Sequence, residues 1–159
     1  RSGKSSFALE LAKKYKNVVF VATGVKTDRE MENRIELHKN TRPKQWKIIE
    51  EPELLLKHKK ILEKANCVII DCITFLVSNC LRAKKSDEQI IKNIVNVIET
   101  LRKNKGRTIL ISNEVGMGIV PPYKSGRNFR DLIGRVNQKI AKEADEFYFL
   151  ISGVKIRLK

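Results

Sequence analysis

The sequence predicts an α/β fold with a mostly parallel sheet, helices on both faces of that sheet and a C-terminal hairpin. Strand and helix signals alternate along the 159 residues, and the strand segments are continuous apolar runs. Such runs are typical of parallel strands that are buried on both faces. A Gly-Lys-Ser sequence at residues 3–5 also opens the first helix directly. The length predicts a single domain over residues 1–159.

Apolar runs predict the strands, and apolar residues at helical spacing predict the helices. The predicted strands are 18–22, 67–71 and 108–112, with a short segment at 46–50 and a terminal hairpin of 147–151 and 154–158. The predicted helices are one after residue 5, then 28–40, 53–65, a segment ending at residue 82, 87–104 and 128–144. Ligands of such folds bind at the carboxyl ends of the strands.

Residues 1–5 match the second half of the phosphate-binding motif G-x-x-x-x-G-K-[ST]. In that motif Gly3 lets backbone N–H groups close around a phosphate, Lys4 reaches the β and γ phosphates, and the Ser5 hydroxyl binds Mg²⁺. A polar helix start is the alternative interpretation. With the alternating elements, the motif predicts a P-loop NTPase fold of RecA-like type. We expect the first strand, which carries the first glycine of the motif, to be missing from this chain.

Asp71 ends the apolar run 67–71, as the acidic residue of a Walker B strand does beside a phosphate-binding loop. There it would hold Mg²⁺, directly or through water, opposite Ser5. The alternative is that Asp71 or Thr74 caps the next helix. The motif at residues 1–5 favours the metal role.

His38 lies at the end of a predicted helix, and Arg34, Lys39 and Arg42 surround it with positive charge. Cations favour the neutral imidazole that a nucleophile needs, and they can bind the phosphates that it attacks. The alternative is a histidine that interacts favourably with the helix dipole. His58 lies among lysines on a solvated helix face, and we assign it no role.

A glycine-rich segment, 113–121, follows the predicted strand 108–112 and precedes the polar helix segment 129–138. Two glycines allow close backbone approach at the ligand-binding edge of the sheet. The segment is either an active-site loop or a flexible connection before an ordinary amphipathic helix with Arg130, Arg135 and Asn137 outside. Spacing alone does not separate these alternatives.

The net charge of +15 raises nucleic acid as a partner, but the distribution of charge argues against it. Lysine supplies 22 of the 33 basic residues, and the lysines are spread along the whole chain. We therefore expect no nucleic-acid partner. The three cysteines form no disulfide framework and are interpreted as small buried side chains of a reducing compartment. No apolar run is long enough to span a membrane, and we expect a cytoplasmic protein.

Four strings, NEVGMGIVP, FRDLIGRVNQ, REMENRIELHKNTRP and DCITFLVSN, resemble the bifunctional adenosylcobinamide kinase and adenosylcobinamide-phosphate guanylyltransferase family of cobalamin biosynthesis. The resemblance covers essentially the whole chain. It implies a nucleotide-binding catalytic domain that phosphorylates adenosylcobinamide with ATP or GTP. GTP then donates GMP to the adenosylcobinamide phosphate, which gives adenosylcobinamide-GDP and pyrophosphate. It also suggests a homo-oligomer.

The resemblance implies that His38 carries GMP as a covalent intermediate. It also implies a set of nucleotide-binding residues, which comprises Arg1, Ser2, Gly3, Lys4, Ser5, Ala22, Thr23, Gly24, Lys39, Asn40, Thr41, Arg42, Glu50 and Asp71. Ser5 and Asp71 are the implied Mg²⁺ ligands. Two other classes stay open, a RecA-like ATPase that acts on nucleic acid and a non-catalytic GTP-binding module. Neither would retain a histidine-linked nucleotide.

Overall fold

The structure, a computed structural model, describes residues 2–159, except for the side chains of Arg34 and Asn40. Helices and strands alternate along most of the described chain, as the sequence predicts. The helices are α1 (Lys4–Ala12), α2 (Arg29–Asn40), α3 (Lys59–Leu62), α4 (Ile73–Arg82), α5 (Asp87–Arg102) and α6 (Lys124–Glu143). The strands are β1 (Val18–Ala22), β2 (Lys47–Glu50), β3 (Cys67–Asp71), β4 (Arg107–Ile111), β5 (Tyr148–Ile151) and β6 (Val154–Arg157).

Four strands form a parallel sheet in the order β2-β1-β3-β4. The register pairs Ala22 with both Glu50 and Asp71, and it pairs Asp71 with Ile111. The carboxyl ends of all four strands therefore meet at one edge of the sheet. The prediction of a parallel sheet is confirmed.

The two faces of the sheet are covered by different helices. Alternate β1 residues face opposite sides, so Phe20 packs in a cluster with Ala8 and Ala12 of α1, whereas Val19 and Val21 pack in the larger cluster with α4, α5 and α6. All three cysteines are free and buried, as predicted. Burial raises the pKa of the Cys67 and Cys72 thiols to about 11, so both stay protonated.

The Leu-rich helix predicted over 53–65 is confirmed only for residues 55–62. The segment forms a 3₁₀ turn, Leu55–His58, and only the short helix α3. The Glu51 carboxylate accepts hydrogen bonds from the backbone amides of Glu53 and Leu54, which closes a turn over residues 51–54 and delays the start of the helix. The leucine pattern instead reflects burial, because Leu55 and Leu62 are both fully buried. Helix α6 begins four residues before its predicted start.

Strands β5 and β6 form the predicted antiparallel hairpin, which pairs apart from the main sheet. A cavity of about 710 Å³ is lined by residues of both β4 and β5. The hairpin turn reaches the start of α1, where the Gly153 amide donates to the Ser2 carbonyl over 3.1 Å. Within residues 2–159, no helix is long and apolar enough to cross a membrane.

Candidate active site

The phosphate-loop residues lie at the carboxyl edge of the sheet, where α1 begins. Gly3 is the N-cap of α1 with φ 91°, a left-handed conformation that suits glycine. A Cβ atom on Gly3 would also lie 3.3 Å from the Gly153 Cα. The Lys4 ammonium donates to the Ser2 hydroxyl over 3.2 Å, and both side chains are partly accessible. This edge therefore presents a cation and a helix N-terminus together.

Ser5 and Asp71 are brought together by the fold, although 66 residues separate them. The Ser5 hydroxyl donates to Asp71 Oδ2 over 2.9 Å. The N-cap of α4 is Cys72, and no side-chain hydrogen bond caps that helix. The Asp71 carboxylate therefore faces the phosphate loop rather than the amides of α4, and the helix-cap alternative finds no support. Among the described residues, no three His, Cys, Asp or Glu side chains cluster closely enough to hold a metal ion by themselves.

Thr23 continues the chain beyond β1 and is fully buried. Its hydroxyl accepts from the Cys72 amide and donates to the Cys72 carbonyl, both over 2.7 Å. Asn79 of α4 donates to the Thr23 carbonyl over 2.8 Å. Thr23 thus connects the ends of β1 and β3 beside Asp71. Ala22 is buried before it, and Gly24 is half-buried after it.

Helix α2 carries His38 and is attached to the end of β2 by an ion pair. Asp28 caps the helix by accepting from the Met31 amide over 2.8 Å. The Lys39 ammonium lies 2.7 Å from Glu50 Oε1. This hydrogen bond raises the pKa of Lys39 and lowers the pKa of Glu50.

The His38 imidazole is exposed, and within the described residues it has no hydrogen-bond partner. The Thr41 hydroxyl donates to the His38 carbonyl over 2.8 Å, which closes the end of the helix behind the histidine. An exposed and unpaired imidazole is accessible to a ligand that approaches from solvent. The described contacts do not join His38 directly to Ser5 or Asp71.

Arg42 lies near both the Ser5–Asp71 pair and the Lys39–Glu50 pair. Its guanidinium stacks 4.2 Å from the centroid of the Phe20 ring. Burial lowers the pKa of the Arg42 guanidinium, whereas the negative charges of Asp71 and Glu50 raise it. Arginine nevertheless stays protonated in proteins. Arg42 is therefore a cation within electrostatic range of both the Ser5–Asp71 pair and the Lys39–Glu50 pair.

The donors of this cation are incompletely satisfied. Arg42 Nε and Nη1 are buried and have no hydrogen-bond partner among the described residues. Burying unpaired donors of a charged group costs free energy, so such groups normally find acceptors. A guanidinium fork matches the oxygens of phosphate and carboxylate. An anion that entered this site would offer Arg42 the acceptors that the described residues do not.

The glycine-rich segment is connected to the sheet and to α6 by polar side chains. Asn137 of α6 accepts from the Ser112 hydroxyl over 2.7 Å and donates to the Asn113 carbonyl over 3.0 Å. The Asn113 amide donates to Thr74 Oγ1 over 3.0 Å. The alternative with Asn137 outside is therefore wrong, because this side chain turns inward to the segment. Arg135 does face outward, where it pairs with Asp87.

Two of the predicted nucleotide-binding residues fall outside the described part of the structure, namely Arg1 and the side chain of Asn40. Sequence reasoning missed Phe20 as the ring beneath Arg42 and the hairpin turn beside Gly3. An apolar residue in a buried strand gives no sign that a cation stacks on it. Asn137 lies within the string FRDLIGRVNQ, which marked it as a candidate site residue. The string does not show on which side of α6 its side chain lies.

Comparison with known proteins decides between the open classes. A family model described as cobinamide kinase / cobinamide phosphate guanyltransferase matches residues 1–158. The chain belongs to this family. The match spans the phosphate loop, the His38 helix and the glycine-rich segment, so the family assignment rests on the whole domain.

Curated relatives agree with the cobinamide kinase / cobinamide phosphate guanyltransferase family. The bifunctional adenosylcobalamin biosynthesis protein CobU of Escherichia coli is 36% identical over 173 residues, covering 100% of this chain and 95% of that protein. The protein of the same name from Salmonella typhimurium is 34% identical over 176 residues, with the same coverage. CobP of Pseudomonas aeruginosa is 34% identical over 161 residues, covering 100% and 92%.

Replacing Arg42 tests whether its buried Nε and Nη1 donors bind a ligand. Arg42→Met keeps an apolar stem over Phe20 and removes the unpaired donors. We expect the free energy of unfolding without nucleotide to be unchanged or higher. We expect GTP affinity to fall about tenfold to a hundredfold, because charge-assisted hydrogen bonds contribute about 1.5–3 kcal/mol. Urea denaturation and titration calorimetry measure the two quantities.

Arg157→Met is the matched control, because Arg157 also lies over an aromatic ring, Tyr148, but is exposed. We expect the control to retain GTP affinity. Loss of stability with unchanged GTP affinity in Arg42→Met would instead mean that the guanidinium only supports the fold.

Proposed function

We propose that this chain carries out both reactions of its family at the carboxyl edge of the sheet. Family membership makes it a cobinamide kinase and cobinamide-phosphate guanylyltransferase of adenosylcobalamin biosynthesis. The observation that carries the assignment of the reactions to this edge is Arg42. Its buried Nε and Nη1 donors have no partner among the described residues, and Asp71 and Glu50 act on its charge. Phosphates of GTP or ATP supply the acceptors that Arg42 lacks.

In the kinase reaction we assign the phosphate contacts to the start of α1. The hydroxyl oxygen at the end of the cobinamide arm attacks the γ-phosphorus of the nucleoside triphosphate. The bond to the β,γ-bridging oxygen breaks, the nucleoside diphosphate leaves, and the hydroxyl proton passes to solvent. Lys4 and the N-terminal amides of α1 stabilise the charge that shifts onto the leaving diphosphate.

Ser5 and Asp71 fit a Mg²⁺ site of the phosphate-loop kind. A hydroxyl and a carboxylate 2.9 Å apart supply two oxygen ligands, and Mg²⁺ normally takes its other ligands from water and substrate phosphates. When bound there, Mg²⁺ would neutralise phosphate charge. The small number of protein ligands suits an ion that arrives with its nucleotide.

In the guanylyl transfer we assign the nucleophile to His38. An imidazole nitrogen attacks the α-phosphorus of GTP, the bond to the pyrophosphate oxygen breaks, and pyrophosphate leaves. An oxygen of cobinamide phosphate then attacks the histidine-linked phosphorus, and the imidazole leaves. Lys39 and Arg42 stabilise the negative charge in both displacements. The exposure of the imidazole, which has no hydrogen-bond partner in the described part of the chain, supports this role.

Replacing the histidine separates the two reactions. His38→Ala should abolish the GMP–protein adduct and guanylyl transfer, whereas phosphorylation of cobinamide should persist, because γ-phosphoryl transfer needs no histidine. α-Labelled GTP followed by acid and alkali treatment measures the adduct, which is acid-labile and alkali-stable. His58→Ala is the control, since His58 lies on the 3₁₀ turn with its Nε2 atom 3.4 Å from Glu51 Oε2. Label retained by His38→Ala would exclude this nucleophile.

Replacing the loop lysine tests the kinase assignment. Lys4→Ala should lower the kinase rate by about a hundredfold or more, because the ammonium stabilises charge on the β and γ oxygens. The assay follows transfer of γ-labelled phosphate to cobinamide. Lys13→Ala is the control, since Lys13 is an exposed lysine at the other end of α1. Equal kinase rates for Lys4→Ala and the unaltered protein would contradict the assignment.

Replacing the acidic residue tests the Mg²⁺ site. Asp71→Asn keeps the shape of the side chain and removes its charge, so the kinase rate should fall and should recover in part at higher Mg²⁺ concentration. A titration of the rate against Mg²⁺ measures the shift in half-saturation. An effect confined to thermal stability would indicate a structural carboxylate instead.

We further propose that copies of the chain associate, that the protein works in the cytoplasm and that it does not bind nucleic acid. Light scattering measures the first of these properties. For the third, hydrolysis of nucleotide that is stimulated by DNA would contradict the proposal.

A further inference from the structure

A cavity of about 560 Å³ lies at the amino edge of the parallel sheet, opposite the candidate active site. Residues 14–16, 64–66 and 104–107 line this cavity, here called the amino-edge cavity. They belong to the turns that lead into β1, β3 and β4, whose first residues are paired across the sheet. Each of these strands has five residues, so the two ends of a strand lie about 13 Å apart. A ligand in the amino-edge cavity would therefore occupy a different place from the substrates at the carboxyl edge.

Five basic side chains that are distant in sequence line the amino-edge cavity. Lys14 and Lys16 follow α1, Lys64 precedes β3, and Lys105 and Arg107 lie at the start of β4. No aspartate or glutamate is among the described residues that line it. The four lysines do not line the cavity along β4 and β5. Lysines that are spread evenly along the sequence are thus concentrated at one place in the fold.

Most of this positive charge has no counter-charge. Arg107 pairs with Glu146 over 2.8 Å. The four lysines are exposed, and none of them forms an ion pair with a described residue. Elsewhere several lysines do pair with glutamates, namely Lys26, Lys39, Lys59, Lys85 and Lys155. Like charges that lie together repel one another, so an anion bound among them lowers the electrostatic free energy.

The backbone around the amino-edge cavity is held by hydrogen bonds between the three turns. The Asn17 side-chain amide donates to the Lys64 carbonyl over 2.9 Å, and the Asn66 backbone amide donates to the Asn17 carbonyl over 2.8 Å. The Arg107 backbone amide donates to the Asn66 carbonyl over 2.9 Å. The Asn66 side chain is exposed and has no hydrogen-bond partner among the described residues, so it offers a further donor. The donors are therefore presented by an ordered frame, which reduces the entropy lost on binding.

We propose that the amino-edge cavity binds a small anion that carries two or more phosphate groups. A single phosphate is too small to contact lysines from three turns, whereas a diphosphate or triphosphate presents oxygens in several directions. The volume of the cavity lies within the range of small-molecule sites, roughly 300–1,000 Å³. Nucleic acid would instead need a basic groove that follows its backbone. The unpaired lysines surround one cavity, and this arrangement favours a compact ligand.

Replacing two of the unpaired lysines tests the site. The probe is inorganic triphosphate, titrated by calorimetry at low salt, and we expect two binding sites in the unaltered protein, one of them at the phosphate loop. The double variant Lys16→Gln, Lys64→Gln should bind the other triphosphate at least about tenfold more weakly, because two charged donors are lost. Lys92→Gln, Lys139→Gln is the matched control, since it changes the net charge equally at exposed positions of α5 and α6. We expect the control to retain both sites.

Lysine acetylation read by mass spectrometry locates the bound triphosphate in the unaltered protein and does not depend on the folding of a variant. Triphosphate should slow the acetylation of Lys14, Lys64 and Lys105, whereas the rate at Lys92 should not change. Protection of Lys4 without protection of these three lysines overturns the site, and so does equal triphosphate affinity in the double variant and the control. A single-stranded RNA that protects the same lysines and is not displaced by triphosphate also overturns it, because the cavity would then belong to a nucleic-acid surface.

Discussion

The hydroxyl of Thr23 bonds to both the amide and the carbonyl of Cys72, and the geometry of the site depends on this contact. Parallel pairing alone sets the register of β1 and β3 only as far as their last residues. One residue beyond β1, the Thr23 amide still donates to the Asp71 carbonyl over 3.0 Å, and the buried hydroxyl adds two bonds to Cys72. Asp71 precedes this contact, so its carboxylate is directed to the start of α1. The Ser5–Asp71 contact is a consequence of how two central strands end.

Arg42 illustrates how a binding site differs from a core. In a core, each buried donor has its acceptor, and stability is the result. Here the Arg42 guanidinium stacks on the Phe20 ring, but its Nε and Nη1 donors have no acceptor among the described residues. The negative charges of Asp71 and Glu50 favour the charged form of Arg42, although neither carboxylate accepts a hydrogen bond from its buried donors. The fold therefore maintains a less stable arrangement where an anion can make it more stable.

The sequence predicted the strands well because buried parallel strands are short apolar runs with clear limits. Residues 18–22 and 67–71 form strands with the predicted boundaries. It was less accurate at 53–65, where a Leu-rich segment predicted one long helix. The Glu51 carboxylate closes a turn there first, and only residues 55–62 are helical. The proximity of Ser5 to Asp71 followed from motif logic. The stacking of Arg42 on Phe20 could not be predicted from a motif, because it depends on the path of the chain between α2 and β2.

The contact between Gly3 and Gly153 joins the start of α1 to the turn of the β5–β6 hairpin. The Gly153 amide donates to the Ser2 carbonyl, and a Cβ atom on Gly3 would make a tight contact of 3.3 Å with the Gly153 Cα. Variation in the hairpin turn is therefore not independent of variation in the loop, although almost the whole sequence lies between them. An insertion at the turn would move the Gly153 amide away from the Ser2 carbonyl, so the length of the turn and the position of Ser2 are coupled. The hairpin, remote in sequence from residues 3–5, therefore helps to set the position of the backbone from which α1 begins.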